Sequence, residues 1–200
     1  MRKGPMFSHT ATIPLMKDFR NFVLPRFGLP ERRDTRDCSS LGVLFIWRRN
    51  YVAHPRNPSG IIARKISNEN EILTASMNAF PNWIIKGVQL DKYEIRQQLE
   101  LLSNVDIIIG MHGAAFSFAF VLAPGSGVIE MYPKVKNQGR NWHMEAIAKW
   151  SKLHYSKWIN DKDKYEDTKR KYTYIPPAIV TKYLYNMHGR ICATGFNATI

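Results

Sequence analysis

The sequence predicts an α/β fold, a parallel sheet with helices on both faces. Three observations carry that prediction. Short apolar runs rich in β-branched and aromatic residues recur at 43–47, 83–88, 106–110, 128–131 and 153–158, each the length of a buried strand. Stretches of helical length and periodicity separate them. Glycine turns punctuate the middle of the series, at Gly110 and at Pro124-Gly125-Ser126-Gly127. Strands and helices alternating at this spacing pair in parallel through crossovers, and ligands of such sheets sit beyond the carboxyl ends of the strands.

Taken in order, residues 1–42 form a leading segment, the remnant of an interdomain region, with prolines at 5, 14, 25 and 30 and the charged run Glu31–Asp37. A short helix over Phe19–Leu24 is stopped by Pro25. The strand Val43–Trp47 ends in Arg48-Arg49, and a loop with His54, Pro55, Pro58 and Gly60 follows. Asn68, with Glu71 three residues on, reads as the cap of a helix from Glu69 to about Phe80, with Ile72, Ala75 and Ala79 on its apolar side. After the strand Trp83–Val88, Asp91-Lys92-Tyr93-Glu94 repeats the capping pattern before a helix carrying Ile95, Leu99 and Leu102.

The next strand runs into Gly110-Met111-His112-Gly113. The helix expected over Ala114–Leu122 is apolar nearly all round, as a buried helix is. The strand Val128–Met131, a helix around Asn141–Ser151 and the strand Leu153–Trp158 complete a domain over 43–160. Residues 161–200, opening on Asp161-Lys162-Asp163-Lys164, form a charged C-terminal extension without a clear pattern.

Composition narrows the function classes. The formal charge of +13 is spread along the chain rather than gathered in one block, which suits anionic partners in general and does not single out nucleic acid. Cys38 and Cys192 have no metal-ligand spacing and can form one disulfide. Asn197-Ala198-Thr199 fits the N-glycosylation acceptor pattern. No run reaches the roughly 18 apolar residues of a membrane span, and Met1–Thr10 lacks the apolar core of a signal peptide. Work in the secretory pathway would therefore require a longer N-terminus. No glycine-flanked serine elbow precedes a helix, which disfavours a hydrolase triad.

The chemistry concentrates at two strand ends. A strand closing on glycine before a helix that opens at His112-Gly113 aims backbone N–H groups at an anionic ligand. The following strand ends in a lone carboxylate, Glu130, suited to accept hydrogen bonds from ribose hydroxyls. Together these ends fit a nucleotide. The bland readings are a core histidine at 112, a surface carboxylate at 130, an Arg64 paired with Glu69 or Glu71, and packing roles for Trp142, His143, Trp150, His154, Tyr155 and Trp158.

In Ile109-Gly110-Met111-His112-Gly113-Ala114-Ala115, Ala123-Pro124-Gly125-Ser126-Gly127-Val128-Ile129-Glu130-Met131-Tyr132-Pro133, Arg48-Arg49 and Arg64-Lys65-Ile66-Ser67-Asn68-Glu69, the chain resembles glycosyltransferase family 61 over roughly residues 43–158. That family includes plant arabinosyl- and xylosyltransferases and animal O-linked N-acetylglucosaminyltransferases. The resemblance implies a Rossmann-like donor domain, the C-terminal half of a GT-B type enzyme. It further implies inverting transfer from a nucleoside diphosphate sugar, with uridine diphosphate expected, to a hydroxyl of a protein or glycan in the Golgi or endoplasmic reticulum lumen. Neither a cofactor nor a metal-binding Asp-x-Asp is implied, and Asp161-Lys162-Asp163 matches that pattern only as letters.

Carried onto this chain, Arg48 or Arg49 together with Arg64 face the diphosphate. Gly110, Gly113 and Ala114 supply backbone approach and donors, Glu130 holds the ribose, and His112 contacts the ligand and is a candidate general base. The chain departs from the family where Gly-Ala-Gly often follows the histidine, since it has Gly113-Ala114-Ala115, and in having only residues 1–42 ahead of the donor half. The alternatives are a catalytically inactive nucleotide- or glycan-binding fragment of the same fold and, in a third class, a basic nucleic-acid-binding domain.

Overall fold

The computed structural model describes residues 14–30, 36–52, 57–134 and 142–193. His54, Pro55 and the acceptor tripeptide at 197–199 lie outside them. Helix α1 (Pro14–Arg26) leads to strand β1 (Gly42–Ile46), followed by β2 (Lys65–Ile66), α2 (Glu69–Ala79), β3 (Ile84–Val88), α3 (Ile95–Ser103) and β4 (Ile107–Met111). Then come β5 (Gly127–Tyr132), α4 (His143–Trp150), β6 (His154–Ile159), β7 (Glu166–Asp167), β8 (Tyr172–Thr173) and α5 (Pro177–Ala193).

Five strands form one parallel sheet in the order β3-β1-β4-β5-β6. The central strands β4 and β5 are buried at every residue, whereas β3 and β6 at the edges carry exposed positions. That is why Ile107-Ile108-Ile109 shows no alternation: both faces of a central parallel strand are covered. One face packs Ile109, Ile129 and Met131 under α2 and α5, through Ile72, Val180, Leu184 and Met187. The other packs Leu44, Ile108 and Val128 under α1, α3 and α4, through Leu24, Leu99, Leu102 and Ala148. Each of the valine, leucine, isoleucine and methionine side chains among these contributes roughly 1.5–3 kcal/mol on full burial.

Several local expectations are corrected. Helix α1 runs on through Pro25, because a proline in the last turn forfeits only one internal bond. Gly28, at φ 66°, closes the helix with Gly28 N–H to Pro25 O at 2.9 Å and Leu29 N–H to Leu24 O at 3.0 Å. Asn68 does not cap α2; its amide bonds the backbone of Ile175 in both directions, at 2.9 and 3.1 Å. The second capping box sits three residues later than expected, on Glu94 and Gln97. The segment after β4 is a 3-10 helix, Ala114–Val121, so the macrodipole argument for a full α-helix does not apply there.

The stretch after Asn160 is more ordered than its charge pattern suggests. β2, β8 and β7 make a second, three-stranded sheet. The buried side of α5 lies against the main sheet, where a Cβ on Gly127 would come within 2.5 Å of Met187 Cγ. Cys38 and Cys192 are joined in a disulfide, with Cα atoms 6.0 Å apart, tying the start of the domain to the end of α5 across 154 residues of chain. Replacing both cysteines with serine is expected to lower the unfolding free energy by about 2–4 kcal/mol in a urea titration. A loss below about 0.5 kcal/mol would show that the tie carries no stability.

Candidate functional site at the carboxyl edge of the sheet

Numbered along the chain, the five strands run second, first, third, fourth, fifth, so the order reverses between β1 and β4. In sheets of this kind the crevice beyond that reversal receives the ligand. The chain leaves β1 through Trp47-Arg48 and leaves β4 through His112-Gly113. Alternation sends Val43, Phe45 and Trp47 to one core and Leu44 and Ile46 to the other, and Arg48 follows the second pair. Its guanidinium lies over Gly113 so closely that a Cβ there would collide with Nη1. Gly110 solves a different problem: a Cβ would sit 2.5 Å from the Ile46 carbonyl oxygen of the paired strand.

The two adjacent arginines differ in their partners. Arg49 is exposed and donates from Nε and Nη2 to Glu69 Oε2, at 2.9 and 2.6 Å. Arg48 is half-buried and, among the described residues, bonds the Ala63 carbonyl oxygen at 3.3 Å. Burial first, and then the charge of Arg64, pushes the Arg48 guanidinium below its usual value. Two nearby guanidinium groups, with no carboxylate partner for either among the described residues, have the chemistry to hold an anion.

Arg64 is held there at a cost. Its φ of 63° lies in the left-handed region, on the order of 1 kcal/mol unfavourable for a residue with a side chain. The next residues fix it, with Lys65 N–H bonding Lys171 O and Ser67 N–H bonding Thr173 O, both at 3.1 Å. Lys65, which the sequence reading did not single out, is 3% exposed. Its ammonium meets the Asn50 side-chain oxygen at 2.9 Å and the Tyr172 ring at 4.2 Å. The only sequence signal for it is its place beside Arg64.

His112 and Glu130 come together, but Glu130 is not a lone carboxylate. It has no exposed surface, and its Oε1 is hydrogen-bonded to His112 Nδ1. Its Oε2 accepts from Tyr132 at 3.0 Å and from Tyr155 at 2.6 Å. A direct hold on ribose hydroxyls would require displacing these partners. His112 is 6% exposed and stacks on the Tyr132 ring at 4.7 Å and 15°. Burial, followed by Glu130, pushes the pKa of both phenols up, so both keep their protons and remain donors. Tyr132 was within reach of sequence reasoning, two residues from Glu130 and therefore on its face. Tyr155 was read as packing, and its role depends on the β5–β6 register that pairs Tyr155 with Val128.

No cluster of three or more metal-ligating side chains occurs among the described residues. Asp163 pairs with Lys134 at 2.6 Å and Asp161 with Lys162 at 3.2 Å. A groove of about 470 Å³ opens at the opposite edge of the sheet, lined by residues including Gly42, Ile84, Lys86 and Asp106.

The two glycines should respond differently to alanine. Gly110→Ala presses a methyl group on a carbonyl that cannot yield without moving β1, and is expected to cost about 1–3 kcal/mol of stability. Gly113→Ala meets only the tip of a flexible arginine, so stability should change by less than about 0.5 kcal/mol while Arg48 is displaced. Equal losses in parallel urea titrations would contradict this reading.

Comparison with known proteins adds the family. The sequence profile described as Glycosyltransferase 61 matches residues 2–129. A beta-1,2-xylosyltransferase of Oryza sativa subsp. japonica is 26% identical over 166 residues, covering 78% of this chain and 29% of the relative. The Arabidopsis thaliana beta-1,2-xylosyltransferase is 25% identical over 176 residues, covering 76% and 31%. An EGF domain-specific O-linked N-acetylglucosamine transferase of Bos taurus is 32% identical over 100 residues, covering 48% and 18%. The chain thus spans at most about a third of the length of these relatives. With a parallel α/β sheet and the family profile matched across most of its length, the chain belongs to glycosyltransferase family 61.

Proposed function

We propose that this chain forms the donor-binding part of an inverting glycosyltransferase that moves a sugar from a nucleoside diphosphate, in the first instance uridine diphosphate, to a hydroxyl of a glycan or protein. The observation that carries the reading is the pair Arg48 and Arg64, without carboxylate partners among the described residues, at the point where the strand order reverses. Family membership and the relatives named for transfer of xylose or N-acetylglucosamine support it.

The roles follow from the chemistry. As the bond between the anomeric carbon and the diphosphate breaks, negative charge grows on the departing phosphate oxygen. Fixed cations stabilise that charge without a metal. Arg48 and Arg64 take this part, and Gly113 leaves Arg48 the room to do so. The acceptor oxygen attacks from the opposite face of the sugar, which inverts the anomeric carbon, and gives its proton to a base for which His112 is the candidate. Gly110 and Ala114 shape the backbone that faces the donor, and Glu130 acts through His112. A single disulfide joining distant parts of the chain suits an oxidising compartment, consistent with work in the Golgi or endoplasmic reticulum lumen. No helix among the described residues is long and apolar enough to cross a membrane.

Calorimetric titration with uridine, guanosine and adenosine diphosphates, with and without manganese, tests the proposal. The expected result is metal-independent binding of uridine diphosphate, weakened about 10- to 100-fold in Arg48→Ala and in Arg64→Ala, as loss of a charge-assisted hydrogen bond requires. Absence of binding, or binding equally strong in both variants, would refute the site. Donor binding with no transfer to any hydroxyl would select the second reading, a nucleotide-binding protein on the same scaffold. Steep salt-dependent binding of nucleic acid with no nucleoside preference would select the third.

A further inference from the structure

We infer that Glu130, Tyr132 and Tyr155 form a buried clamp that keeps a proton on His112 Nδ1, so that His112 exchanges protons and bonds ligands only through Nε2. The inference rests on the reading above in one respect, that His112 faces the donor site.

The clamp is drawn from three strands. His112 extends β4, Glu130 and Tyr132 lie two apart on β5, and Tyr155 reaches in from the edge strand β6. Alternation puts Glu130, Tyr132 and Tyr155 on the Val128 face of the sheet. Each phenol has one proton to donate, and both point it at Glu130 Oε2. With Oε2 taking two O–H donors, Oε1 is left for the imidazole. Two donors on a buried carboxylate stabilise its charge, so the proton shared between Oε1 and Nδ1 resides on nitrogen. The Tyr132 oxygen, 3.0 Å from Nδ1 as well, is a second acceptor for the same N–H.

Two consequences follow. Neutral His112 is the Nδ1–H tautomer, the opposite of the form an imidazole side chain prefers in water, and its lone pair is on Nε2. In that state it accepts from a hydroxyl, and it donates to a phosphate oxygen only when protonated. Tyr132, stacked on the ring, fixes the imidazole plane while Glu130 fixes its proton. A phenylalanine at 155 would fill nearly the same space, so the hydroxyl of Tyr155 is explained by the clamp and not by packing. Glu130, Tyr132 and Tyr155 are accordingly positioning residues, which act on a ligand through His112.

The test is a two-bond nitrogen–proton correlation spectrum of the histidine-labelled chain, recorded with rising pH until the His112 nitrogen shifts stop changing and the ring is neutral. The His112 signals are identified by their loss in His112→Gln. The expected result is the Nδ1–H form in excess by at least about tenfold, a bias of roughly 1.4 kcal/mol. In Glu130→Gln the two tyrosines claim the amide oxygen, so its NH₂ turns to Nδ1 and the tautomer switches to Nε2–H. In Glu130→Gln with Tyr132→Phe and Tyr155→Phe the amide is no longer oriented, and the two tautomers mix.

A wild-type chain in the Nε2–H form, or in an even mixture, overturns the clamp. So does an unchanged tautomer in folded Glu130→Gln. If that variant does not fold, the wild-type spectrum still decides. A wild-type chain with the Nδ1–H form that binds no uridine diphosphate sustains the clamp and refutes the donor site. Donor binding with the wrong tautomer refutes the clamp alone.

Discussion

A carboxylate placed near the carboxyl end of the inner strand β5, with no surface exposed to water, must have its oxygens satisfied by the protein. Glu130 meets that demand through one imidazole and two phenols, and much of the carboxyl edge is arranged around it. The β5–β6 register brings Tyr155 within 2.6 Å, and His112 must continue β4 alongside β5, which its N–H does by bonding Met131 O at 2.8 Å. Removing the carboxylate would leave two tyrosine hydroxyls and a ring nitrogen without this acceptor, and at the buried His112 and Tyr132 an unmade hydrogen bond costs about 1–3 kcal/mol. The same contacts that satisfy the core therefore fix the ring that faces the proposed donor.

The second constraint is long-range. Arg64 keeps an unfavourable backbone conformation because β2 is paired to β8, and because Asn68 and Glu71 at the start of α2 are bonded to Ile175 and Tyr174. The C-terminal stretch thus serves the site from a distance. It is anchored in turn by α5, whose Arg190 donates to the Tyr155 carbonyl oxygen at 2.9 Å, and whose last turn carries the disulfide to Cys38. The amino edge of the sheet is closed separately. Arg36 pairs with Asp106 at 3.3 Å and donates to Pro124 O and Ser126 Oγ, while Asp106 accepts from Gly42 N–H at 2.8 Å.

Much of this was legible in the chain. Five strands appear where short apolar runs stand between turn residues, because central parallel strands tolerate little else. The edge that carries the candidate site was marked in the sequence by residues just past strand ends, the positions that reach ligands in this architecture. What the sequence could not resolve required knowing which segments pair. The choice of Arg48 over Arg49 depends on the face that Gly113 opens. The part played by Tyr155 depends on the β5–β6 register. Asn68 looks like a cap by spacing, yet its side chain is taken by a backbone segment 107 residues away. Residues 161–175 show no periodicity because their structure is two-residue strands and side-chain bonds, too short to leave a pattern.

The most direct test of the donor site is a crystal structure of the chain with uridine diphosphate. The account predicts diphosphate oxygens between the Arg48 and Arg64 guanidinium groups, beside Gly113, with the histidine-tyrosine stack undisturbed. Diphosphate bound instead at the amino edge, in the groove lined by Gly42, Lys86 and Asp106, would contradict it.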